Sequence, residues 1–273
     1  MRLTTKIISG IILSLFLISL IFIIGFSFTD RKNYKSTYLN AINLSQDNKT
    51  GIELPPYKTI LIDEVAIEAN GRYSNRLSTG CNLYIDPISE NQNPDMIFVP
   101  ESIKDVVSFD TYGDTLKIMI NVLELDSNDK KMFQFYSGLN LYLNISKIDI
   151  ISNVSQLSVT ARNIQTDSMK IKSSGNIFID SCKADVITPS LFASYRQLLI
   201  KNSEMIKLNL DLDNISNWKI ENCNIEEENL TGSKTHRITQ RKDESKIINW
   251  HPKNNKAILN ITIESDTARI IFP

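Results

Sequence analysis

Between residues 145 and 225 the chain repeats one phrase of apolar and polar positions. Ile179-Asp180-Ser181-Cys182, Ile200-Lys201-Asn202-Ser203 and Ile220-Glu221-Asn222-Cys223 each give an apolar β-branched residue, a charge, a small polar residue and a small residue able to sit inside. The isoleucines are 21 and then 20 residues apart. Ile177, Leu198 and Trp218 stand two places before them, and Leu157 with Val159 carries the register back by another 20. A period near 20 marks a solenoid in which each repeat is one coil. Alternation over four or five residues predicts short strands rather than helices.

A second strand set falls between the first. Ile148 with Ile150, Met169 with Ile171, Val186 with Ile187, and Ile206 with Leu208 and Leu210 each precede a main strand. Every coil thus offers at least two strands, as a flattened or triangular β-helix requires. Polar corners separate them at Asn153, Asn163, Ser173-Ser174-Gly175-Asn176, Asn202-Ser203, Asp213-Asn214 and Asn222. Asn tolerates the left-handed conformation a tight corner demands.

Upstream, strand-like runs begin at Tyr57. Thr59 to Asp63, Asn82-Leu83-Tyr84-Ile85 and Met96 to Val99 are apolar or alternating, the last two stopped by Pro87 and Pro100. A single helical turn over 101–107, capped by Ser102, is expected next. Gly113-Asp114 suits a tight turn before the alternating Leu116, Ile118 and Ile120. Residues 232–246 are polar and lack an apolar rhythm, and strands resume from about 247 as a cap for the last open edge.

The N-terminus has a different pattern. Residues 7–28 are 22 in number and carry no charge. As a helix they would span roughly 33 Å, enough for a bilayer core of about 30 Å. The run is long for a cleaved signal peptide, and Gly25-Phe26-Ser27 is a poor exit, so an uncleaved single-pass anchor is expected over a signal peptide. Arg2 and Lys6 precede the run, and Arg31, Lys32 and Lys35 follow it, so charge alone does not orient it. The six-residue head holds no domain, which places the remainder on the extracytoplasmic side. Residues 29–56 read as a polar tether, with a short helical turn over 38–44, and 57–273 as one domain.

Charge adds mostly exclusions. Net charge is −1 with 30 Lys and Arg against 31 Asp and Glu, and the lysines are scattered, so no nucleic-acid footprint forms. Asn, Ser, Ile and Leu are abundant while Gly numbers only 9, which favours strands and polar turns. Cys81, Cys182 and Cys223 have neither zinc nor redox spacing and read as buried small residues. Cys182 and Cys223 fall at one place in coils separated by the Ser203 coil, about 9.6 Å apart, which is beyond disulfide reach.

The segment from Tyr57 to Asp63, the phrase Gly113-Asp114-Thr115-Leu116-Lys117-Ile118 and the turn-strand Ser173-Ser174-Gly175-Asn176-Ile177-Phe178-Ile179 resemble the autotransporter adhesin, head GIN domain family. The resemblance runs roughly from Tyr57 to Phe272. It implies a β-helical envelope domain without established chemistry, so it carries over no catalytic residues. That family carries more Gly and Asp at its corners; here only Ser173 to Asn176 keeps the form, with Asn in place of the acid.

Candidate chemistry is sparse. His236 and His251 flank the polar C-terminal stretch without a nucleophile or orienting group, and both read as surface residues. No phosphate loop, dinucleotide fingerprint or metal-binding His pair is present. Asp180 and Glu221 lie two coils apart, about 9.6 Å, at the outer limit for a hydrolase carboxylate pair. Lys201 stands between them, so the ladder reads as a solvated face. Asp211 and Asp213 read as corner residues before calcium ligands. Trp218 shares a core register. Phe192 and Tyr195 lie in a coil extension, 188–196, that breaks the rhythm, and such insertions map to binding faces.

The fold expected is all-β: a single-domain right-handed parallel β-helix behind an N-terminal transmembrane helix. The expected function is a non-enzymatic, adhesin-like binding or structural module of the cell envelope. It has no assigned catalytic, cofactor or metal residues. A glycan or an envelope protein is its expected partner, and it is expected to be monomeric. The alternatives are a polysaccharide hydrolase or lyase and a self-assembling scaffold.

Overall fold

The computed structural model describes residues 18–19, 41–65, 76–77, 80–87, 95–122, 135–145, 147–192, 195–215, 217–242, 244–264 and 269–271. Apart from Ile18 and Ser19, the apolar run 7–28 lies outside them. Among the described residues no helix is long and apolar enough to cross a membrane. The protein is all-β, a β-solenoid of about five turns.

Two walls enclose the core. The first has eight strands: β2 (Lys49–Glu53), β5 (Cys81–Asp86), β6 (Met96–Pro100), β10 (Asn140–Asn144), β12 (Leu157–Arg162), β14 (Ile177–Asp180), β16 (Gln197–Lys201) and β18 (Asn217–Glu221). Its order is β18-β16-β14-β12-β5-β10-β6-β2. The second has ten: β3 (Thr59–Val65), β7 (Val107–Tyr112), β8 (Thr115–Asn121), β11 (Ile148–Ser152), β13 (Gln165–Ser173), β15 (Lys183–Leu191), β17 (Glu204–Asp211), β19 (Asn224–Gly232), β21 (Ser245–Pro252) and β23 (Arg269–Ile271). Its order is β23-β21-β19-β17-β15-β13-β11-β3-β8-β7. Small parallel sheets join β1 (Ala41–Asn43), β9 (Phe135–Ser137) and β4 (Arg76–Leu77), and β20 (Thr235–Lys242) with β22 (Ile258–Glu264).

Alternation along each strand becomes columns across coils. Leu83, Val159, Ile177 and Leu198 form one inward column, and Ile85, Ala161, Ile179 and Ile200 the next. All eight are at most 1% exposed. Trp218 and Ile220 extend these columns at β18, where they are half-buried against the core. In the second wall Ile60, Ile150 and Ile171 stack in the same way. Each fully buried side chain contributes about 1.5–3 kcal/mol through apolar burial. A one-residue slip would turn every such column outward, so the alternation fixes the register.

β17 and β19 bend partway along. Ile206 and Lys207 both face out between the inward Met205 and Leu208. Glu226 and Glu227 do the same between Ile225 and Glu228.

The corners between the walls are of two kinds. Leaving the first wall, Asn163, Ser181, Asn202 and Asn222 all have left-handed φ, between 50° and 55°. Asn202 Nδ2 donates to Asp180 Oδ1 at 2.9 Å, and Asn222 Nδ2 reaches Asn202 Oδ1 at 3.4 Å, so the side chains form their own ladder. Asn153, Asn176 and Asn214, expected to share this conformation, do not have positive φ. Their turns lie at the other corner, and the close approach there falls to Gly175. A Cβ on it would stand 2.0 Å from the Leu157 carbonyl oxygen. Inside the left-handed corner, the Cys182 amide donates to Ser203 Oγ at 3.1 Å. Cys182 is buried, Cys223 half-buried, and none of the three cysteines is in a disulfide.

At the N-terminal end the pairing turns antiparallel. β7 and β8 form the hairpin expected at Gly113-Asp114. β2, inside the stretch read as a tether, pairs antiparallel with β6. Residues 41–43, where a helical turn was expected, are strand β1. The turn over Glu101–Val106 is a 3-10 helix whose first residue follows Pro100, and Ser102 bonds Asp47 instead of capping it. At the other end the ladder continues: β21 pairs with β19 and β23 with β21, both parallel.

Two outcomes test this register. Ile200→Asp should abolish folding, because it exchanges a packed side chain worth about 2–5 kcal/mol for an unpaired buried carboxylate. Lys201→Gln should cost no more than about 1 kcal/mol, since its side chain is 41% exposed. Equal melting temperatures for the two variants would refute the register. Ser181→Asn should raise stability by about 0.5–1 kcal/mol, because Asn tolerates left-handed φ better than Ser; a lowered melting temperature would show that the corner is not left-handed.

Candidate functional site

The Asp180–Glu221 pair is the arrangement that most resembles a hydrolase's two carboxylates. Arg162, Asp180, Lys201 and Glu221 follow one another in a single outward column, with Lys201 between the two acids. Lys201 Nζ lies 3.3 Å from Asp180 Oδ2, and Arg162 lies 3.3 Å from Asp86 Oδ1. Lys219 pairs with Glu221. Slight burial pushes the Asp180 carboxyl up, but hydrogen bonds from Asn202, Lys201 and Ser181 outweigh it and hold it below the usual range. A general acid needs the opposite shift.

The other face repeats this use of outward positions. Asn209, Asn229 and Asn249 stack in register: Asn249 Nδ2 donates to Asn229 Oδ1 and Asn229 Nδ2 to Asn209 Oδ1, both at 3.0 Å. Lys183 pairs with Glu204 at 3.3 Å and Lys207 with Glu227 at 3.6 Å. A shallow groove of about 420 Å³ runs beside these, lined by Gln165, Thr166, Asp167, Lys183, Ala184 and Asp185.

A polar cluster lies at the turns that close successive coils. Asp213 Oδ1 accepts from the Ser233 amide at 2.8 Å and meets His236 Nε2 at 3.3 Å. Lys253 Nζ bridges Asp211 Oδ1 at 2.6 Å and Asp213 Oδ2 at 3.0 Å. The His236 ring sits edge-on to Trp250, centroids 6.2 Å apart. Gly232 makes room for this: a Cβ there would fall 2.5 Å from His236 Nε2. Partial burial pushes the Asp213 carboxyl up, yet the Ser233 hydrogen bonds and the Lys253 ammonium hold it well below the usual carboxylate range. Its two aspartate partners raise the Lys253 ammonium above its ordinary value, the Asp211 hydrogen bond most.

His251 is exposed, as expected, but His236 is not a surface residue: its side chain is only 15% exposed. The sequence carried a signal for this that apolar periodicity misses. Asp213, Ser233 and Lys253 are each 20 residues apart. The one hydroxyl of the cluster, on Ser233, is hydrogen-bonded to Asp213, and the cluster ties three turns of the solenoid together.

Phe192 and Tyr195 lie in the turn between β15 and β16, where they are 45% and 73% exposed. Lys172 Nζ sits 4.5 Å from the Phe192 ring centre, and Arg196 Cζ 4.8 Å from that of Tyr195. Trp218 is apart from them, in its core column. Two buried acids give no signal in the apolar pattern: Glu244, just before β21, and Glu228, which stands in an otherwise apolar column and accepts from Ser245 Oγ at 2.7 Å. Among the described residues no group of three or more His, Cys, Asp or Glu is placed to hold a metal ion.

The Asp213 cluster has a pH signature. A depressed carboxyl contributes stability that is fully present above the unfolded value of about 3.9 and is lost as pH falls toward the folded value. Asp213→Asn should therefore cost about 1–2 kcal/mol at pH 7. That deficit should shrink below about pH 4 in thermal melts. A deficit that stays constant down to pH 2.5 would separate the residue from the acid limb.

No family profile and no curated protein matches the chain. Solved structures do. A "putative adhesin" from Bacteroides fragilis is similar at 15% identity and TM-score 0.43, covering 85% of this chain and 100% of its own. A "putative adhesin" from Parabacteroides distasonis is similar at 11% identity and TM-score 0.41, covering 86% and 98%. A "putative lipid binding protein" from the same species has 13% identity and TM-score 0.36, covering 85% and 99%.

Proposed function

We propose that the protein is a non-enzymatic, adhesin-like module of the cell envelope: a right-handed β-helix, monomeric, tethered to the membrane by residues 7–28 with the domain on the extracytoplasmic side. The observation that carries the reading is the placement of Lys201 between Asp180 and Glu221. A retaining or inverting hydrolase needs one carboxyl kept protonated beside a second that is free to act. Here the acids alternate with cations, and the Asp180 carboxyl is pushed away from the protonated state. Long ladders of paired charges suit a durable surface in water. The 22 uncharged residues near the N-terminus support the tether, and the exposed turn aromatics support a binding role.

The full chain, purified in detergent, should leave a panel of plant, bacterial and host polysaccharides uncleaved. Turnover abolished by Asp180→Ala would replace this reading with the hydrolase or lyase one. In intact cells, external protease should remove the solenoid and leave a short membrane-embedded stub. Protection of the solenoid until the membrane is permeabilised would reverse the proposed topology.

A further inference from the structure

The turn between β15 and β16 places two cations on exposed aromatic rings. On the same face Lys183 meets Glu204 and Lys207 meets Glu227 in the next coil. Lys172 has Ile151 on one side and Ser190 on the other. Its contact is the Phe192 ring. Arg196 likewise lies against Tyr195, and its Nε is buried without a hydrogen-bond acceptor. Among the described residues neither cation makes an ion pair. Each rests on an aromatic ring that is itself 45% or more exposed.

We infer that Phe192, Tyr195, Lys172 and Arg196 form a binding site for an acidic polysaccharide, one bearing carboxylate or sulfate groups on its sugars. This rests on the adhesin-like reading and names the ligand class. An aromatic face offers an apolar plane to the C–H face of a sugar ring. A cation over the ring, worth about 0.5–1 kcal/mol at an exposed site, is held beside that plane. The Arg196 guanidinium has lost water at Nε without gaining an acceptor, so an anionic group at its open nitrogens meets a donor set that is already partly dehydrated. Lys172 and Phe192 belong to adjacent coils, about 4.8 Å apart, comparable to one sugar residue along an extended chain. A bare anionic surface would need cations alone; the paired rings favour a ligand with flat apolar faces between its charges.

The test uses the full chain in detergent with polygalacturonate and heparin as acidic probes and dextran as the neutral one. Wild type should bind an acidic probe and ignore dextran. Phe192→Ala/Tyr195→Ala and Lys172→Gln/Arg196→Gln should each weaken that binding by about tenfold or more. Both should melt like wild type. Tyr195→Ala alone, at the most exposed of the four positions, repeats the readout with least disturbance of packing. Three results overturn the site: neither acidic probe binds; only the cation variant loses binding, which is plain ion exchange; or phosphatidylglycerol vesicles bind with the same dependence on all four residues. A chain that adheres to cell surfaces but ignores acidic polysaccharides removes this site and leaves the adhesin-like reading standing.

Discussion

A left-handed residue at the same corner of successive coils is the constraint on which the stack depends. Each coil must leave the first wall and enter the second within two residues, and Asn163, Ser181, Asn202 and Asn222 do so at φ between 50° and 55°. For most residues that conformation costs about 1–2 kcal/mol. Asn lowers the cost, and its amide then bonds to the neighbouring corner. Once the corner is fixed, the small residue after it must point inward, which is where Cys182 and Ser203 lie. The strand after that begins in register with the one in the coil before.

Register converts sequence alternation into columns, and columns separate structure from surface. Inward columns hold Leu, Ile and Val with little interruption. Outward columns are chosen for what stands one coil away: acid beside base along Arg162, Asp180, Lys201 and Glu221, and amide beside amide along Asn209, Asn229 and Asn249. Because coils are about 4.8 Å apart, an unmatched charge is felt by its neighbour. Where a cation rests on an aromatic ring instead of an acid, as Lys172 does on Phe192, that matching is absent.

The inner columns were legible in the sequence because alternation and a 20-residue period survive in Ile179, Ile200 and Ile220 whatever the surrounding turns contain. Four features were hidden for physical reasons. The Asp213–His236–Lys253 cluster obeys the same period, but through polar turn residues, which an apolar rhythm passes over. Glu228 occupies a core column as a charged residue, so pattern alone reads it as surface. β2 pairs antiparallel with β6, but Ile52 is the one large apolar residue among its five, and Gly51 lies under Met96 and Phe98. Ser181 shares the left-handed corner although its side chain gives no sign of it.

The register is tested most directly by the cysteines. Cys182 and Cys223 stand at one position in coils separated by the Ser203 coil, so their Cα atoms are about 9.6 Å apart, and a disulfide needs less than about 7 Å. Thiol titration of the protein in denaturant, without reductant and after exposure to oxygen, should give three free thiols. A native Cys182–Cys223 disulfide in a peptide map would mean that the two coils are neighbours and that the stack described here is wrong.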